Sequence, residues 1–181
     1  MKQTYAKYLL LFVLAVLMQS CQSAVRFSST TSAPNTPTHG SSNLPNRVEA
    51  PSLSGASPTQ KKIIKTAETW LGTPYVWGGN TKSGVDCSGL VCEVFKTVNL
   101  PLPRTSFEQF QKGQPVGGGG LEVGDLVFFS FESGRAVTHV GIYAGENIFI
   151  HASSSRGVTY QSLYDQPFAS ALVGYRRFLK E

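Results

Sequence analysis

Cysteine is scarce in this 181-residue chain: there are three, at positions 21, 87 and 92. Cys87 and Cys92 lie five residues apart before an apolar helical pattern. On one helix that spacing turns the side chains apart by roughly 140°, which excludes a disulfide between them. A structural metal site is disfavoured too, because no second cysteine pair and no neighbouring histidine complete a ligand set. Long hydrophobic runs are also missing. The longest N-terminal one, Tyr8 to Met18, falls well short of the roughly 20 residues a spanning helix needs. The basic residues are scattered apart from Lys61, Lys62, Lys65 and the pair Arg176 and Arg177, so no nucleic-acid footprint emerges. There is no internal repeat.

The short apolar run is itself informative. Lys2 and Lys7 precede it, and it closes on Met18-Gln19-Ser20-Cys21. A basic start and a short apolar core suit an export signal. The ending resembles the lipobox of bacterial lipoproteins, in which cleavage before the cysteine exposes it for lipidation. Residues 1–20 are therefore expected to be a signal and Cys21 a lipid anchor. Loss of Lys2 and Lys7 lowers the formal charge from +5 to +3.

Residues 21–57 are dense in Ser, Thr, Pro, Asn and Gly and have few large apolar side chains. Such a segment buries too little surface to offset its ordering entropy, so a disordered tether is expected. A random coil of about 36 residues spans roughly 30–35 Å. The folded domain is expected over 58–181. Ser57, Pro58 and Gln60 make a helix start with a capping box, followed by Ile63, Ile64, Ala67, Trp70 and Leu71 at helical spacing. Gly72 to Asp86 reads as a shaped loop. A second helix is expected from Ser88 to about Val98, and the Gly117–Gly120 run as a flexible loop. The period then changes to two. Asp125–Phe131, Val137–Tyr143, Asn147–Ala152, Gly157–Tyr160 and Ala171–Phe178 read as short strands. Helices followed by strands indicate an α+β domain, with helices packed on an antiparallel sheet.

The hairpin Val137–Ala152 carries the strongest chemical signal. Val140, Ile142, Ile148 and Ile150 alternate with His139, Gly141, Tyr143, Phe149 and His151. A three-residue turn at Ala144-Gly145-Glu146 sets His139 opposite His151, with both histidines on one face and the aliphatics on the other. A bulge at Gly145 would shift that register. Two adjacent histidines can ligate a metal with Cys87 as third ligand, coincide without purpose, or serve as a base and its orienting partner. Cys87 precedes a helix, where free N–H groups and the helix dipole stabilise a thiolate. An added imidazole makes a thiolate–imidazolium pair of the kind cysteine hydrolases use.

Six motifs resemble the NlpC/p60 cell-wall cysteine peptidases: "GTPYVWGG" at Gly72 to Gly79, "DCSGLV" at Asp86 to Val91, "LPRTS" at Leu102 to Ser106, "VGDLVFF" at Val123 to Phe129, "THVGIY" at Thr138 to Tyr143 and "FIHAS" at Phe149 to Ser153. Their order and spacing follow the family from about Lys61 to Phe178. The resemblance implies a papain-like fold, Cys87 as nucleophile, His139 as general base and acid, and His151 as the residue holding His139. It suggests Tyr75 as an oxyanion donor beside the Cys87 N–H. Substrate contact and helix capping are both open for Asp86 and Ser88. Arg104 is open between a substrate carboxylate and a structural bond, Asp125 reads as a turn residue, and Cys92 as a small core residue.

The activity so implied is hydrolysis of peptidoglycan stem peptides or cross-links, at a γ-D-glutamyl–diamino acid or D-Ala–diamino acid bond. No metal or organic cofactor is expected. The expected partner is peptidoglycan, with a membrane contact through Cys21 and a monomeric state. Gln22 after the anchor cysteine favours the periplasmic face of the outer membrane. The alternatives are an amidase or acyltransferase with the same nucleophile, and a non-catalytic wall-binding lipoprotein.

Overall fold

The computed structural model describes residues 48–133 and 136–180. The signal, Cys21 and the tether up to residue 47 lie outside the described residues.

Helix α1 (Pro58–Glu68) starts as its sequence requires. The Ser57 hydroxyl accepts from the Gln60 N–H at 3.2 Å, and the Gln60 side chain accepts from the Ser57 N–H at 2.7 Å. Its inward face buries Ile63, Ile64 and Ala67. The loop after it contains a small hairpin, β1 (Asn80–Thr81) with β2 (Gly84–Val85). Helix α2 (Cys87–Lys96) follows at once, with Leu90, Val91, Val94 and Phe95 buried. It begins one residue earlier than the apolar pattern suggests, because Asp86 is its N-cap.

Helix α3 (Ser106–Lys112) and strand β3 (Gln114–Val116) had no counterpart in the periodicity. A signal for α3 was present in Thr105 and Glu108, which close a second capping box. The glycine run forms a single 3₁₀ turn at Gly118–Gly120. Four more strands are β4 (Leu126–Phe129), β5 (His139–Gly145), β6 (Ile148–Ser153) and β7 (Gly157–Ser162). A short helix α4 (Phe168–Ala171) leads into β8 (Leu172–Arg177). The six-stranded sheet has the order β3-β8-β4-β5-β6-β7, with every pairing antiparallel. This is the expected α+β architecture.

The sheet separates two apolar clusters. Val140, Ile142 and Ile150 pack with the buried sides of α1 and α2. Val127, Phe129, Tyr143 and Phe149 form the second cluster on the opposite face, with Phe168 and Leu163 against them. Full burial of each phenylalanine contributes about 1.5–3 kcal/mol. Residues ahead of α1 join the domain as well: Val48 and Leu53 pack on the first cluster, and Pro51 is buried. The packed region thus begins at least ten residues before Pro58, because a few apolar side chains in the polar segment find the core. Among the described residues, no helix is long and apolar enough to cross a membrane.

The hairpin β5–β6 departs from the expected register. Ile142 pairs with Ile150 and Tyr143 with Phe149, and the register shifts before Gly145 pairs with Ile148. The turn is Glu146-Asn147, both at positive φ (52° and 60°), as a two-residue turn matching strand twist requires. The register moves by two residues, so face parity is preserved while the cross-strand partner changes. His151 lies opposite Gly141 by this register, and His139 is its diagonal neighbour.

Candidate active site

The start of α2 is held by a dense polar knot. Asp86 accepts from the Gly89 N–H at 2.6 Å and the Gly78 N–H at 2.9 Å. Arg104 grips the same carboxylate with both ends of its guanidinium, at 2.9 and 2.7 Å. It also donates to the Ser88 hydroxyl at 3.0 Å and to the Gly79 carbonyl at 3.3 Å. Ser88 in turn donates to Asp86 at 3.2 Å. Burial pushes the Asp86 carboxyl up, but the Arg104 bonds and the two amides outweigh it and leave it below the usual carboxylate range. Asp86, Ser88 and Arg104 therefore bind one another, and in this structure they shape the helix start.

Glycine is required where that knot meets the loop. A Cβ on Gly89 would lie 2.3 Å from the Gly79 carbonyl oxygen, a contact with rigid backbone. A Cβ on Gly79 would lie 2.4 Å from the Gly84 carbonyl oxygen.

Cys87 is buried as the first residue of α2 and packs in the cluster that contains Val140, the neighbour of His139. Burial pushes its thiol up to about 11, although the amides of Val140, Ser88 and Cys87 itself favour the thiolate. No hydrogen bond joins its sulfur to His139 within the described geometry. Burial thus opposes charge on both Cys87 and His139, against the pull of the helix start toward the thiolate. Tyr75 forms an isolated bridge with Val85 and is half-buried. Burial, then the Cys87 and Asp86 charges, raise its phenol, which keeps the hydroxyl a proton donor.

The two histidines meet directly. His139 Nε2 lies 2.8 Å from His151 Nδ1, with the rings nearly perpendicular at 87°. Phe149 and Phe168 pack on His151, and Phe168, Phe129 and Phe131 approach His139. That aromatic setting pushes His139 down to about 4 and His151 well below the ordinary imidazole value, chiefly through burial. With its Nε2 engaged, His139 keeps Nδ1 for any reacting group. For Nδ1 to accept a proton, Nε2 must carry hydrogen and donate to His151 Nδ1. His151 then carries its own proton on Nε2, a buried atom without a hydrogen-bond partner among the described residues.

Cys92 and Asp125 stand apart from this assembly. Cys92 is half-buried, less enclosed than a core residue, with its thiol 3.2 Å from the Pro103 carbonyl. Its position facing the Leu102–Pro103 loop explains the difference. Asp125 is a turn residue, and its buried carboxylate also takes two bonds from Arg177, each 2.8 Å.

A cleft of about 990 Å³ opens over the histidines. Tyr75, His139, His151, Phe131, Phe168 and Val48 line it, together with a polar wall from Ser153 to Arg156 and the side chains of Gln161, Ser162, Asp165 and Gln166. The polar wall was not singled out from the sequence, since nothing in the run "SSSRG" separates a cleft wall from an ordinary turn.

A helix-start cysteine, a histidine pair on an antiparallel sheet and a cleft over the histidines are parts that acyl transfer by a nucleophile and a base needs. Comparison with known proteins gives the family. The sequence pattern of the NlpC/P60 family matches residues 72–177, and the chain belongs to this family. It is similar to a gamma-D-glutamyl-L-lysine dipeptidyl-peptidase of Bacillus subtilis, 39% identical over 72 residues, which is 40% of this chain and 24% of that protein. An NlpC/P60 family protein of Bacillus cereus has a similar structure, with a TM-score of 0.65 and 34% identity over 68% of this chain and 41% of that one. The NlpC/p60 domain of the peptidoglycan hydrolase SagA gives a TM-score of 0.57 at 30% identity, covering 66% of this chain and 98% of that domain. The matches span between a fifth and two fifths of the length of curated relatives such as the Bacillus dipeptidyl-peptidase and probable endopeptidases of Corynebacterium and Mycobacterium.

Proposed function

We propose that this protein is a cysteine endopeptidase that hydrolyses amide bonds in peptidoglycan stem peptides or cross-links. The observation that carries the reading is the 2.8 Å contact between His139 Nε2 and His151 Nδ1, which leaves His139 Nδ1 free for a reacting group. Cys87, beside Val140 at the start of α2, is the nucleophile.

In the proposed reaction the Cys87 sulfur attacks the amide carbonyl carbon as its proton passes to His139. The carbonyl oxygen becomes an oxyanion, met by the Cys87 N–H at the helix start and the Tyr75 hydroxyl. Collapse breaks the C–N bond, and His139 returns the proton to the leaving amine. Water then attacks the thioester with His139 as base, releasing the acid and restoring the thiol. His151 holds the imidazole in the tautomer this sequence needs.

The substrate class is supported by the relatives, whose names specify a γ-D-glutamyl peptidase and a peptidoglycan hydrolase. Tethering at the cell envelope through Cys21 is part of the same proposal, supported by the lipobox-like sequence before it. Digestion of purified sacculi, with mass spectrometry of the released fragments, tests the function. Release of cut stem peptides by the parent chain and none by Cys87→Ala is the expected result. Cleavage at the glycan–peptide junction would show an amidase instead, and equal release by Cys87→Ala would remove the cysteine mechanism.

A further inference from the structure

The described arginines differ in how their charge is met. Arg104 is paired with Asp86, and Arg177 with Asp125 and Glu122. Arg176 lies 3.7 Å from the centre of the Phe110 ring and donates to backbone carbonyls. Arg156 lines the cleft beside the histidines, exposed, and has no carboxylate within ion-pair distance among the described residues.

Its position is nevertheless prescribed. Arg156 Nη2 donates to Gln161 Oε1, and the buried Gln161 in turn donates through Nε2 to Asp165 Oδ2. Asp165 thus spends a lone pair on orienting the amide that holds the guanidinium. A neutral acceptor fixes the guanidinium without neutralising it, so its charge and its remaining N–H groups stay available. The Ser153 and Ser155 hydroxyls, 3.3 Å apart, stand on the same wall. Arg156 is also close enough for its charge to disfavour protonation of His151. The other acidic side chain lining the cleft is Glu132, on the connection between β4 and β5.

We infer that Arg156, held by Gln161 and Asp165, is a carboxylate-recognition subsite that selects peptides bearing a free carboxylate near the scissile amide. This inference rests on the proposed peptidase function and specifies the chemistry of its substrate. A γ-linked glutamyl residue leaves its α-carboxylate free on the acyl side of the bond. The residue on the amine side offers a second carboxylate when it ends the peptide. Either meets the planar, forked donor set of an arginine, and a charge-assisted hydrogen bond in a partly enclosed cleft contributes more than a neutral one.

The test uses the full chain carrying Cys87→Ala, so that binding is read without turnover. The probes are the tripeptide L-Ala-γ-D-Glu-L-Lys and two derivatives, one with the glutamyl α-carboxylate and one with the C-terminal carboxylate converted to the amide. Calorimetry should show the parent peptide binding about tenfold more tightly than one of the two amides, as one charge-assisted bond predicts. The weaker derivative identifies which carboxylate Arg156 reads. Adding Arg156→Gln should bring all three peptides to the level of the weaker one, and Arg156→Lys should restore part of the difference. Equal binding of the three peptides, no binding of any, or discrimination that survives Arg156→Gln overturns the inference. Failure of the peptidase reading looks different: the subsite would discriminate in this assay while the chain with Cys87 intact cleaves nothing.

Discussion

His139 and His151 are hydrogen-bonded at 2.8 Å although the hairpin register makes them diagonal neighbours. His151 lies opposite Gly141, and a Cβ on Gly141 would stand 2.5 Å from the Phe149 ring. The missing side chain leaves room for the Phe149 ring beside the strand. A positioning role for His151 follows from this contact. His151→Ala should lower kcat by about 100-fold or more, within the range expected for a disabled acid–base residue. Substrate KM should change little, and His151→Gln should recover part of the loss by offering an acceptor to His139 Nε2. Steady-state kinetics on a stem peptide, with circular dichroism to verify folding, checks this.

The resting site should be neutral. Burial holds the Cys87 thiol at about 11 and His139 at about 4. Iodoacetamide should therefore alkylate Cys87 slowly at pH 7 and progressively faster as the pH approaches 11, with Cys21→Ser and Cys92→Ala used together to isolate the thiol. Fast alkylation of Cys87 at pH 6 would instead show a preformed ion pair.

The same burial links stability to pH. His139 and His151 have folded values below the unfolded imidazole value of about 6.5, so the unfolded chain binds their protons more readily. Their contribution to stability is intact above about pH 6.5 and is lost as the pH falls below it, for His139 through about 4. Urea midpoints should drop across that window. In a variant with both histidines replaced by Phe and Gln, the drop should shrink.

Arg104→Ala leaves the buried Asp86 carboxylate with only its hydrogen-bond donors from Gly89, Gly78 and Ser88. The guanidinium is partly exposed, which tempers the cost, and a loss of about 1–3 kcal/mol is expected from leaving a buried acceptor undersatisfied. Arg104→Lys should recover little, since an ammonium cannot grip both oxygens. Chemical denaturation measures both.

Gly89→Ala should displace the loop that carries Tyr75, because the new methyl meets the Gly79 carbonyl oxygen. Overpacking of this kind costs about 1–3 kcal/mol. Activity should fall further than stability alone explains, measured at a temperature where the variant remains folded. Gly118→Ala, whose Cβ has its nearest neighbour at 3.6 Å, is the control expected to behave as the parent.

Much of this protein is written locally. The capping boxes at Ser57 and Thr105, the apolar stripe of α2 and the alternation along β5 and β6 each follow from contacts within a few residues. Parity alone put His139 and His151 on one face, since a strand repeats every two residues whatever its partner. The exact partner was not legible: the tight turn at Glu146-Asn147 and the bulge beside Gly145 decided it, and a two-residue shift conserves the pattern. Strand β3 leaves no mark in the sequence because three residues carry too little periodicity. The role of Arg104 is not legible locally because its bond to Asp86 joins residues 18 positions apart.

The sequence by itself determined which residue types stand at the helix start and on the hairpin face, because helix capping and strand alternation are short-range effects. Only the tertiary structure decided that Asp86 and Arg104 pair with each other, that the histidines meet diagonally, and that Cys87 and His139 are buried from solvent. Those outcomes depend on desolvation and on the meeting of distant segments, and neither is set by a residue's neighbours along the chain.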